Sequence, residues 1–155
     1  MTIEEIFCNL YEKYGENFNW SMIPLTQARG FFVNELKKEL GCDTIFHNKV
    51  YAVAKCDSND DVLYLIADDS VEGLWRIYHL TYSYDDIDGF PQYEEFASRQ
   101  DVGFFIEKKY IDEYLQQINS NLVQYKSSNP MRKALQNYSY FYTIRRKGPT
   151  QFRLD

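Results

Sequence analysis

Residues 50–83 hold three apolar runs, VYAVAKC (50–56), VLYLIA (62–67) and LWRIYHLTYS (74–83), with only Asp57 and the turn SNDD (58–61), and then DDSVEG (68–73), separating the last two from their predecessors. Parallel pairing needs a crossover of a dozen or more residues, so links this short admit only antiparallel neighbours. Asp, Asn, Ser and Gly supply the turns, and the segment reads as a β-meander. In the third run Trp75, Ile77, His79 and Thr81 point one way, while Arg76, Tyr78, Leu80 and Tyr82 point the other. Both faces carry apolar groups, as a central strand requires. Short TIFH (44–47) is expected to begin the sheet, and the alternating YSYFYTIRR (138–146) to add a strand near the end.

Helical periodicity flanks this core. Thr2 followed by Glu5 forms a capping box, Ile3, Ile6, Phe7, Leu10 and Tyr14 fall on one face, and Gly15 stops the helix. After an aromatic loop (NFNW), Pro24 is expected to open a second helix. Its stripe is Ala28, Phe31, Phe32, Leu36 and Leu40, with Gly30 inside and Gly41 as the stop. Ser98 caps a third, over 98–119, with Phe105, Tyr110, Ile111, Tyr114, Leu115 and Ile118 as its apolar side. SSNP (127–130) breaks the chain before a short helix, MRKALQNY. The fold class is α+β: an antiparallel meander of about four to five strands with helices packed on one face. The 155 residues suit a single domain, comprising a helical part (1–41), the meander (44–83), the helix (98–119) and a basic C-terminal segment (127–155).

Several function classes lack their signatures. The start, MTIEEIFCNLYEKYG, has acids where a secretory leader needs basic residues, and no window approaches the roughly 18 apolar residues of a membrane span. Cys8, Cys42 and Cys56 are odd in number and show no metal-ligand spacing, which points to reduced thiols in a cytoplasmic protein without metal or cofactor. There is no glycine-rich phosphate loop, no HExxH and no GxSxG elbow. The tail interleaves aromatics with bases as single-strand binders do, but a net charge of −6 does not favour nucleic acid.

The charge is unevenly spread. Residues 57–95 hold eleven acids and one base, Arg76, whereas residues 121–154 hold seven bases and no acid. Many of the acids lie in the segment after His79. Counting from Tyr84, Asp86, Asp88, Gly89 and Glu95 take positions three, five, six and twelve of a calcium loop. Tyr84 cannot supply the first carboxylate, however, and Pro91 occupies the usual aliphatic position, so a solvated acidic loop over 84–96 accounts for the pattern better. His79 as a general base would need a nucleophile or water in reach, with Asp85 or Glu94 as its carboxylate. A histidine hydrogen-bonded within the sheet explains it more simply.

The stretch IYHLTYS followed by GFPQYEEF resembles a pattern in small uncharacterised bacterial proteins. There a strand ending in HLT(W/Y)S precedes a Phe/Trp-Pro loop, an acidic-aromatic segment and a helix. Some of these resemble immunity proteins of bacterial toxin systems, which bind and block a toxin. The likeness spans Ile77 to about Glu113 and carries over no catalytic residue. It implies a binding protein.

The expectation is therefore a non-enzymatic protein-binding module with a basic partner. Tyr82, Tyr84, Phe90 and Tyr93 would be anchors, and Asp85, Asp86, Asp88, Glu94 and Glu95 would set association rate and partner choice. The alternatives are a small enzyme using His79 with Asp85 or Glu94, and a structural subunit whose 138–146 strand pairs with a partner's sheet. Oligomeric state stays open.

Overall fold

The computed structural model describes residues 1–67, 73–83 and 91–128. Thr2 caps helix α1 (Ile3–Tyr14) with the reciprocal bonds expected: its hydroxyl accepts from Glu5 N at 3.2 Å, and its own N–H donates to Glu5 Oε2 at 2.7 Å. Gly15 ends the helix at φ 63°, a conformation open to glycine without strain. A three-residue strand, β1 (Trp20–Met22), stands within what reads in sequence as the end of an aromatic loop and its sequel. Three residues are too few to show alternation. Its existence rests on pairing with β2 (Lys49–Cys56), Trp20 opposite Cys56.

The second helix starts later than expected. Pro24 leads only into a 3₁₀ turn (Leu25–Gln27), and α2 runs Phe31–Leu40 with Gly30 as its N-cap. Gly30 adopts φ −91°, ψ −128°, which no helix interior contains, so it separates the two pieces. The break frees Ala28 to accept from Ala52 N at 2.7 Å. TIFH is likewise no strand. Asp43 accepts from Ile45 N at 2.9 Å and turns Thr44–His47 into a 3₁₀ segment.

β2, β3 (Asp61–Ala67), β4 (Leu74–His79) and β5 (Gln92–Phe96) complete a five-stranded antiparallel sheet in sequential order. The α+β meander is thus as the sequence implied, although β5 occupies residues expected in a loop. Pairing with β4, Tyr78 opposite Tyr93 and Trp75 opposite Phe96, makes those residues a strand. A bulge between Ala52 and Ala54 changes which face β2 buries. Val50 and Ala52 pack in one cluster, Ala54 and Cys56 in the other. The helices divide accordingly rather than sharing one face. Ile6, Phe7 and Leu10 of α1 meet Trp75 and Ile77 on one side, together with Val102 and Ile106. Leu36 of α2 lies with Val62, Tyr64 and Tyr78 on the other. The apolar stripe of α2 specified a buried face without specifying which side of the sheet received it.

Ser98 caps helix α3 (Arg99–Ser128), accepting from Asp101 N at 3.2 Å. The helix continues past residue 119 because no Gly or Pro interrupts the sequence before Pro130. The chain divides into two units, the first ending at Tyr110 and the second beginning at Ile111. In the first, Val102, Gly103, Ile106 and Tyr110 are the buried positions of α3. In the second, Ile111, Tyr114, Leu115 and Ile118, expected on the apolar side, are exposed. The expected helix over MRKALQNY, the strand 138–146 and the rest of the basic tail beyond Ser128 lie outside the described residues, as does most of the DDSVEG turn. No helix among the described residues is long and apolar enough to cross a membrane.

Candidate functional site

The β3–β4 register sets Asp61 opposite His79. Asp61 is only 3% exposed and is the one buried charged side chain among the described residues. A carboxylate out of water needs partners: two neighbours supply them here, and a third holds the Asp61 backbone. His79 Nδ1 lies 2.8 Å from Oδ1, Lys109 of α3 pairs with Oδ2, and Asp61 N donates to Asn59 Oδ1 at 2.9 Å. An ionised carboxylate can only accept, so it selects the tautomer with the proton on Nδ1. Nε2 is then the free acceptor on a ring whose side chain is 45% exposed.

His79 and Lys109 border a groove of about 660 Å³, with Ile77 and Phe105 as apolar lining and Gln92 and Glu94 on the β5 side. The carboxylates expected beside His79 are Asp85 and Glu94. Glu94 does reach the same groove, Asp85 lies outside the described residues, and the carboxylate on His79 is Asp61. The signal for Asp61 lay in the hairpin register: pairing Ile66 with Leu74 across DDSVEG sets Asp61, the residue just before VLYLIA, opposite His79. The groove's described lining offers no Ser, Thr or Cys. An oriented base is present there without a hydroxyl of Ser or Thr, or a thiol, among the described lining residues.

The other expected contact residues fall into two settings. Tyr84, Asp85, Asp86, Asp88 and Phe90, and with them most of the calcium-loop spacing, lie outside the described residues. Tyr93, Glu94 and Glu95 all stand on β5, the edge of the sheet among the described residues, and are exposed. They do not share a face. Glu94 pairs with Ile77 on the groove side, whereas Tyr93 and Glu95 pair with Tyr78 and Arg76 on the other. Arg76 ties that side together: Nε donates to Glu95 Oε2 at 2.9 Å, Nη1 donates to Tyr78 Oη at 2.8 Å, and the guanidinium stacks 4.5 Å from the Tyr93 ring centre. Burial works against its charge, but Tyr78 and Glu95 outweigh burial and raise its pKa. Glu94 has no ion pair among the described residues.

Tyr82, the remaining expected anchor, follows β4 at φ 51°, the left-handed region that a tyrosine rarely enters. Two successive N–H groups there, of Thr81 and Tyr82, converge on one acceptor. Glu39 of α2 fills it, accepting from Thr81 N at 2.9 Å and Tyr82 N at 2.8 Å. The ring stacks on Phe31 with centroids 6.2 Å apart, and burial, reinforced by Asp60 and Glu39, raises the phenol pKa. The HLTYS motif therefore acts locally and structurally, fastening the end of β4 to α2.

No group of three His, Cys, Asp or Glu side chains positioned for a metal ion occurs among the described residues. Cys8 and Cys42 are exposed and Cys56 is buried, all as free thiols. No protein-family model, curated protein or solved structure matches the chain.

Proposed function

We propose that this chain is a non-enzymatic protein-binding module, an immunity-type inhibitor that blocks a basic toxin through the acidic, aromatic segment around β5. The observation that carries the reading is β5 itself, an edge strand presenting Tyr93, Glu94 and Glu95 to solvent. An aromatic anchor flanked by carboxylates supplies desolvated contact area and long-range attraction for a cationic surface. The acids at 85, 86 and 88 precede it in sequence. The test is capture from a lysate of the source cell, comparing the wild type with a variant in which Asp85, Asp86, Asp88, Glu94 and Glu95 become Asn or Gln. A basic protein held by the wild type and released by the variant supports the reading. Equal capture by both, or none, contradicts it.

The Asp61–His79 pair favours a second reading, a small enzyme in which His79 Nε2 activates water in the groove. It predicts a turnover abolished by His79→Gln, with the binding described above unaffected.

A further inference from the structure

We propose that β5 is a docking edge to which an extended basic segment of a partner protein adds as a sixth strand, with alternate side chains reaching the His79 groove and the Tyr93 face. The inference rests on the binding reading and specifies its mode. Three observations carry it. β5 ends the sheet, and beyond its pairing with β4 no backbone bond joins residues 92–96 to another described residue. A terminal strand presents every other N–H and C=O outward, so five residues offer a ladder about 17 Å long. Gln92 through Glu95 are all exposed, so no described element shields that row. The third observation is the groove, bordered by Pro91, Gln92, Tyr93 and Glu94 of this strand and the residue before it. An added strand would lie along the groove's rim, where backbone pairing gives affinity and side-chain recesses give selectivity. By contrast, the opposite edge, β1, has only three residues.

Charge selects the occupant. Edge strands are commonly protected by Lys or Pro. β5 instead carries Glu94 on one face and Glu95 on the other, with Pro91 just before its start. A second copy of this chain pairing edge to edge would set glutamates against glutamates, which is unfavourable across strands. A segment with Lys or Arg at alternate positions directs its cations to one face, the groove side, where Glu94 stands, while Glu95 on the other face is already paired with Arg76. Glu94, which has no ion pair among the described residues, is its first contact on the groove side.

The test uses the full chain and a blocked octapeptide, TKVRVKVT, followed by backbone-amide NMR. Saturable shifts centred on residues 92–96 and His79 are expected. The same peptide N-methylated at alternate residues keeps its side chains and charge but cannot form the ladder, and should bind about tenfold more weakly or worse. The charge-reversed TEVDVEVT should not bind. Equal affinity after N-methylation, equal binding of the reversed peptide, shifts that avoid β5, or no saturable binding each overturn strand addition. None of these bears on whether the lysate yields a basic protein, so the two ideas fail separately.

Discussion

Replacing Lys109 with Met isolates the buried charge at the centre of the site. Asp61 would keep the His79 bond at 2.8 Å but lose the one lysine or arginine that pairs with it among the described residues. Removing one partner of a buried ion pair costs about 3–5 kcal/mol, because the remaining charge stays desolvated. The surviving His79 bond places this case near about 3 kcal/mol. Asp61→Asn should cost less, about 1–2 kcal/mol. It removes the buried charge itself, and Lys109, whose side chain is 36% exposed, can turn to water. The double variant should then be more stable than Lys109→Met alone, since no carboxylate remains to be stranded. Urea unfolding of the four proteins, analysed as a cycle with equal slopes, measures each term. A Lys109→Met cost within about 0.5 kcal/mol of zero, or an Asp61→Asn cost exceeding it, would refute the view that Asp61 is a buried anion held by a cation.

Further outcomes follow from other contacts. Gly103→Ala, normally worth up to about 1 kcal/mol to a helix, should instead destabilise by about 1–2 kcal/mol. An added Cβ would stand 2.7 Å from Cγ2 of Ile6, a branch too close to the main chain to swing aside, and thermal unfolding reads the sign. Glu39→Ala should cost about 1–3 kcal/mol by leaving Thr81 and Tyr82 N–H groups without their acceptor, and should speed amide exchange at both. The Glu107 carboxyl is held below its ordinary pKa by hydrogen bonds from Lys13 and Tyr14. A depressed carboxyl stabilises the fold above the unfolded value, near about 4.3, and that contribution disappears as pH falls through the lower folded value. Glu107→Gln should therefore flatten the acid side of the stability profile and leave a smaller difference from wild type at low pH than at neutral pH.

What could be read in the sequence was local. Thr2 and Ser98 announce their helices because a cap is decided within four residues. The three apolar runs announce a meander because short links leave no other pairing. The misses are non-local. β1 exists only through Cys56 and its neighbours, and β5 only through β4. The β2 bulge is invisible in VYAVAKC, whose alternation continues unbroken while the face it buries changes between Ala52 and Ala54. His79 was recognisable as a candidate, but its partner Asp61 lies eighteen residues away and emerges from strand register. Tyr93, Glu94 and Glu95 were legible as a group, yet β5 sends Glu94 to the side opposite its neighbours, since alternation divides any consecutive acids on a strand.

The most direct measurement is site-specific photocrosslinking in the source cell. A benzoylphenylalanine replaces either Tyr93 on the β5 edge or Tyr11, an exposed α1 position beside the groove that Trp20 and Met22 of β1 line. If β5 is the contact surface, irradiation yields one discrete adduct with a basic protein from position 93 and none from position 11. An adduct from both positions, or from neither, would contradict a binding surface centred on β5.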